Sequence, residues 1–187
     1  MNFRDPSSND YTSMRNAAAM DAPLRAFTRY SRMGASSRVR LLQFLPALRA
    51  LGVTVEVNHL LGDDYLAAKY SGEPVAPGPV VTSYINRLSR LLRARRHVVW
   101  LEKEALPYIP FHIERALLGR YIVDIDDAWY LSYSASSSGL VRATLSTKIQ
   151  RLLAGSSLVI AGNSYLSDYA TSLGATWCEV VPSVVDC

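Results

Sequence analysis

Two hydrophobic periods take turns along the chain. Short apolar runs rich in β-branched and aromatic residues alternate with longer segments in which apolar residues recur every three or four positions. The pattern predicts a strand at Leu24–Tyr30, a small-residue loop at Ser31–Ser37, and a helix from Arg38 to Leu51 with Leu41, Phe44, Leu45 and Leu48 on one stripe. Pro46 is expected to kink that helix, because its ring removes a donor and crowds the preceding turn. Gly52 is placed to end it. A second strand follows at Val53–Leu60, then irregular chain over 61–79 around the Gly- and Pro-rich loop Gly72–Pro79.

The next predicted helix, Val80–Arg96, sets an apolar face of Val81, Tyr84, Ile85, Leu88, Leu91 and Leu92 against a basic face of Arg87, Arg90, Arg93 and Arg95. Strand three is His97–Lys103, followed by a short helix to Leu118 that Gly119 stops. Strand four is Arg120–Asp126, and a Ser-rich loop (Ser132–Ser138) leads to a helix over Leu140–Ala154. Strand five is Leu158–Gly162, a helix runs from Asn163 to Gly174, and a last strand spans Thr176–Pro182. Six strands alternating with five or six helices predict an α/β fold, a Rossmann-like doubly wound parallel sheet in one domain over 23–187. Residues 1–22 show neither period and read as a flexible N-terminal tail.

Composition narrows the class. With 49% hydrophobic and 19% charged residues in 187, the chain has the make-up of one globular domain and not of a disordered segment. No apolar run approaches the roughly 20 residues of a membrane span. The first ten residues lack the apolar centre of a secretory signal. Two cysteines, Cys178 and Cys187, argue against a disulfide scaffold or a zinc cage, and the expected location is cytoplasmic. The net charge of +4 is carried by 17 Arg and only three Lys. Arginine suits phosphate recognition by its planar fork, and it is equally what a GC-rich genome supplies. No basic stripe interleaved with aromatics is visible, so nucleic acid is not an expected partner.

In open parallel sheets ligands bind at the carboxyl ends of the strands, which directs attention to three loops. The first is Arg32–Arg38 (RMGASSR), where Gly34 permits close backbone approach and Ser36 or Ser37 could cap the helix. The second is Asp124–Ala128 (DIDDA), in which three carboxylates within four residues repel one another unless solvated or paired. It could hold a metal, act in phosphotransfer, or bind sugar hydroxyls; alternatively it is a solvated strand end with Asp127 as a cap. The third is Gly162–Asp168, where Asn163 or Ser164 caps the following helix. The Glu102-Lys103-Glu104 group at the end of strand three is a further ligand-contact candidate and equally a solvated loop. His59, His97 and His112 have neither triad nor metal-ligand spacing.

Taken in order, these segments resemble the N-terminal domain of retaining GT-B glycosyltransferases of the large family-4 group. Arg29–Val57 resembles that family's first strand, glycine loop and first helix, and Tyr121–Tyr130 its Asp-rich strand end. Leu158–Ala175 is similar to the segment before the interdomain hinge. Val180–Asp186 (VVPSVVD) is similar to the hinge motif V-I-P-N-G-V-D, with Ser183 and Val184 in place of its Asn and Gly. The resemblance implies transfer of a sugar from a nucleotide-sugar donor to an acceptor hydroxyl of a glycan or lipid-linked sugar, with no cofactor and no metal. It implies Asp126 and Asp127 as catalytic residues lining the transferred sugar or acceptor. Gly34, Ala35, Ser36 and Ser37 would face the donor diphosphate, Arg32 and Arg38 would supply charge, Asn163 and Ser164 would border the cleft, and Glu102 would contact substrate.

It further implies a C-terminal donor-binding domain, in cis or in trans, without which the chain is expected to be inactive. The basic face of Val80–Arg96 is expected to touch a membrane surface peripherally. The rival readings are a non-catalytic sugar-binding or interaction domain and a metal-dependent phosphatase-like enzyme built on DIDDA.

Overall fold

The computed structural model describes residues 23–184, so the expected tail at 1–22 lies outside the described residues. The chain forms one six-stranded, all-parallel sheet: β1 Leu24–Tyr30, β2 Val55–Leu61, β3 Val99–Glu102, β4 Tyr121–Ile125, β5 Leu158–Ala161 and β6 Cys178–Val180. The order is β2-β1-β3-β4-β5-β6. With helices packed on both faces, this is the doubly wound α/β class that the alternating periods predict. The chain moves outward from β1 to β2, then crosses back to place β3 on the other side of β1. The loops after β1 and β3 therefore diverge and leave a crevice at the carboxyl edge.

Register fixes which side chains share a face. Phe27 lies opposite Leu101, Leu101 opposite Val123, and Val123 opposite Val159. All four are fully buried. That face is covered by α4 (Pro77–Ala94), α5 (Phe111–Leu117), α6 (Leu131–Ser134), α7 (Gly139–Leu145), α8 (Lys148–Ala154) and α9 (Ser164–Ser172). Their Leu91, Tyr133, Ile149, Leu152 and Leu166 complete the core. The opposite face carries Glu102 opposite Asp124 and Trp100 opposite Ile122. Over it lie α1 (Ala35–Arg40), a 3₁₀ turn at Leu42–Phe44 and α2 (Leu45–Ala50).

Three sequence expectations are corrected. The stretch over 61–79 is not irregular throughout: α3 spans Asp63–Ser71. It starts with two acidic residues in its first turn, favourable at the positive end of the helix dipole, and ends at Gly72 in the left-handed region. The helix expected over Arg38–Leu51 is two short helices broken at Leu41–Phe44, with Pro46 in the first turn of the second, where a missing donor costs nothing. The single helix expected over Leu140–Ala154 is likewise two, α7 and α8.

The helix expected at Val80–Arg96 exists as α4, with Tyr84 and Leu91 inward and Arg90, Arg93 and Arg95 exposed as expected, but the rest of its facing departs from the expectation. Val81, Ile85, Leu88 and Leu92 are 57%, 62%, 40% and 51% exposed, while Arg87 is buried beside Leu91 and Ala94. The reason is polar. The Arg87 guanidinium donates to the Thr28 carbonyl of β1 and lies 5.0 Å from the Phe27 ring centre, and Arg90 donates to the Asn58 side-chain carbonyl of β2. Its stem supplies apolar contact and its head satisfies the sheet, so an arginine does the packing expected of a leucine.

Candidate functional site

The carboxyl edge is organised by α1. Ser36, Ser37 and Arg40 reach the ends of β4, β3 and β4 respectively, and each meets one carboxylate. Ser36 stands near Asp126 and helps hold its carboxyl down. Ser37 Oγ, fully buried, donates to Glu102 Oε2 at 2.6 Å, and the same oxygen accepts from the Arg29 backbone N–H at 3.2 Å. Arg40 Nε meets Asp124 Oδ1 at 2.8 Å with both side chains almost wholly buried. Arg40 Nη1 also donates to the Val181 carbonyl, and Gln43 donates to the Val184 carbonyl at 2.7 Å. The segment leaving β6 is thus tied back to α1.

Burial pushes the carboxyl of Glu102 up, opposed by the Ser37 and Arg29 hydrogen bonds. Burial likewise raises Asp124 to about 7, outweighing the adjacent Arg40 charge.

The helix starts without a serine cap. Gly34 occupies the N-cap position and no side chain caps the turn, so neither Ser36 nor Ser37 is the cap that their position suggested. Gly34 is required for a packing reason: a Cβ there would lie 2.5 Å from the Tyr30 Cβ. Asp127 is not a cap either; α6 begins from Tyr130 with no side-chain cap. Asn163 does cap α9, accepting from the Leu166 N–H at 2.9 Å. Ser164 stands exposed beside it.

Lys103 joins the other two loops. It has a left-handed backbone (φ 66°), which is costly for a residue with a Cβ, and its ammonium swings across to Asp126 Oδ1 at 3.1 Å and Asp127 Oδ2 at 2.8 Å. Desolvation lowers the lysine's pKa, but the two carboxylates more than reverse this and it ends above the ordinary value. For Asp126 burial raises the pKa, and Lys103 together with Ser36 brings it below the usual carboxylate range.

The strained turn is held by a buried network behind it. Glu104 accepts from Lys148 (2.6 Å), Tyr133 (2.9 Å) and the Trp129 indole (3.1 Å). Glu114 accepts from the Ala105 and Leu106 backbone N–H groups and from Lys148. Tyr108, the second non-glycine residue with positive φ, is fixed by its N–H to the Tyr133 hydroxyl. A network so fully satisfied makes the loop after β3 rigid.

The predicted site residues therefore divide. Asp126, Asp127, Ser36, Ser37 and Glu102 converge at the strand ends, though Ser37 and Glu102 face inward and hold each other. Arg32, Ala35 and Arg38 line a separate groove of about 1050 Å³ on the outer side of α1 and α2, with Val39, Leu42 and Pro46. Asn163 and Ser164 stand at the end of β5. Among the described residues no group of three or more His, Cys, Asp or Glu is arranged to hold a metal ion. Compared with known proteins, the chain matches no family model, no curated protein and no solved structure.

The sequence reading missed Arg29, Arg40 and Trp129, and it named Lys103 only within the Glu102-Lys103-Glu104 group, without its bridge to Asp126 and Asp127. Arg29 and Lys103 both approach the Trp129 ring, at 4.5 and 5.2 Å from its centre. One signal was present: of only three lysines in an arginine-rich chain, Lys103 and Lys148 are both buried hubs of ion pairs.

Proposed function

We propose that the chain is the acceptor-side domain of a sugar-transferring enzyme of the GT-B kind, binding a hydroxylated acceptor in the crevice at the carboxyl edge. The observation that carries this reading is the pair Asp126 and Asp127. Both stand at the end of β4 beside the switch between β1 and β3, where doubly wound sheets bind ligands. Lys103 holds both in place through its ammonium, at 3.1 Å from Asp126 and 2.8 Å from Asp127. Ionised carboxylates at a crevice wall accept hydroxyl hydrogen bonds from a sugar, and the half-buried Trp129 indole offers an apolar surface next to them. A nucleotide-sugar donor would be held by a second domain, in the same chain or another, so the described domain alone would bind acceptor without turning over.

Saturation-transfer NMR on the chain with a panel of hexoses and hexosamines tests this. Sugar signals are expected that fall about tenfold in affinity in Asp126→Asn and Asp127→Asn while circular dichroism is unchanged. Equal transfer in both variants would remove the carboxylates from the site.

One observation favours a non-catalytic binding domain as the second reading. A single ammonium bridges both aspartates, which suits a recognition wall as well as it suits chemistry.

A further inference from the structure

Four arginines among the described residues carry buried side-chain nitrogens that meet no hydrogen-bond partner: Arg25, Arg29, Arg40 and Arg87. Three are anchored by their other nitrogens, Arg25 to Glu56, Arg40 to Asp124 and Arg87 to the Thr28 carbonyl. Arg29 differs. Among the described residues its side chain makes no hydrogen bond and no ion pair, and both Nε and Nη1 are buried and unpartnered. Its guanidinium is oriented by aromatic rings instead, 4.5 Å from the Trp129 centre and 5.6 Å from that of Tyr30.

The position gives this meaning. Arg29 is the penultimate residue of β1, at the switch point where the crevice opens. The neighbouring carboxylates are all engaged elsewhere: Glu102 by Ser37 and the Arg29 backbone, Glu104 by Lys148 and Tyr133, Asp126 and Asp127 by Lys103. A guanidinium with two buried, idle nitrogens is costly to keep, and an entering oxyanion removes that cost by accepting charge-assisted hydrogen bonds.

We infer that Arg29 is an anion-recognition residue of the crevice and that the ligand bound there carries a phosphate or carboxylate oxyanion. This rests on the crevice and not on the transferase reading. Joined to that reading, it makes the acceptor a phosphorylated or acidic sugar.

Isothermal titration of the full chain with a hexose 1-phosphate, a hexuronate, inorganic phosphate and the neutral hexose tests it, with Trp129 fluorescence as a second readout. One of the anionic probes is expected to bind. Preference for the phosphorylated sugar or the uronate identifies which source of oxyanion is used. Arg29→Met should weaken the anionic probe by about ten- to a hundredfold and leave the neutral hexose unchanged. Arg29→Lys, which keeps the charge but not the planar fork, should fall between.

Because the donors are idle without ligand, the thermal midpoint of Arg29→Met should hold or rise. A fall of several degrees in both variants would make Arg29 a structural stacking residue and overturn the inference. So would anion binding unchanged in Arg29→Met, or no anionic probe binding to wild type at about 10 mM. Binding is read without turnover, so failure here leaves the Asp126 and Asp127 result intact and separately informative.

Discussion

Removing either partner of the Arg40–Asp124 pair should have unequal consequences, and the inequality should depend on pH. Both residues are buried, 4% and 2% exposed, and they meet at 2.8 Å. Asp124 is nonetheless raised to about 7, because the desolvation of its carboxylate exceeds what Arg40 returns. The folded protein therefore binds a proton at Asp124 that the unfolded chain, near 3.8, has already lost. By linkage this stabilisation is fully present below pH 4 and declines as pH rises toward 7, by at most about 1.4 kcal/mol per unit.

Asp124→Asn removes the titrating group but keeps an oxygen for Arg40 Nε, and Arg40 retains the Val181 carbonyl. Its cost should be about 1 kcal/mol at pH 7. Arg40→Met strands the carboxylate without a cation. It should cost about 3–5 kcal/mol at pH 8 and distinctly less at pH 5, where Asp124 takes up a proton and needs no counter-charge. Urea denaturation of wild type and both variants at pH 5, 7 and 8 reads the differences, and other titrating groups cancel between variants. Equal costs for the two substitutions at pH 8, or an Arg40→Met penalty that ignores pH, would refute the reasoning.

Gly34→Ala should destabilise by about 1–3 kcal/mol through the Tyr30 clash, since the backbone itself (φ −73°) tolerates alanine; denaturant midpoints check this, and pairing it with Tyr30→Ala should recover part of the loss. On α4, Ile85→Lys with Leu92→Lys should change stability by no more than about 0.5 kcal/mol each, because both side chains already stand in water. The same double substitution should abolish co-sedimentation with anionic vesicles at low salt, which we expect of wild type from an apolar stripe flanked by arginines with no acidic residue between Glu73 and Glu102; failure of wild type to co-sediment would refute the membrane contact.

Most of the fold was legible because the sheet is buried on one face by residues of a single kind. Phe27, Leu101, Val123 and Val159 sit in short apolar runs, and a run of that length bounded by loop residues has few other uses. The boundaries that failed lie where polar chemistry competes with hydrophobic period. Asp63–Ser71 carries almost no apolar stripe; its helix is set by acidic residues at one end and a left-handed Gly72 at the other. Arg87 packs inward, against every expectation from its type, because its guanidinium reaches the Thr28 carbonyl of β1. A pattern of apolar and polar letters cannot record that an arginine stem is apolar over most of its length.

The candidate site was legible in its location and not in its wiring, and the difference has a physical cause. A strand end with three aspartates announces itself in one dimension, since mutual repulsion demands an explanation wherever the chain goes. What answers the repulsion comes from far away in sequence: Arg40 for Asp124, Lys103 for Asp126 and Asp127, Ser36 for Asp126. The partners sit on other strand–helix units, Arg40 and Ser36 on α1 and Lys103 just after β3, and meet the aspartates only because β1, β3 and β4 are neighbours in the sheet. Spacing within one segment could not reveal Lys103, whose reach depends on a left-handed backbone that its own type disfavours. The strain is offset by the buried bonds of Glu104, Tyr133, Lys148 and Glu114, which hold the following loop in place. Sequence thus announces where charge accumulates, while the sheet order decides which charges cancel, and among the described residues it leaves the Arg29 guanidinium at the mouth of the crevice with no hydrogen bond and no ion pair.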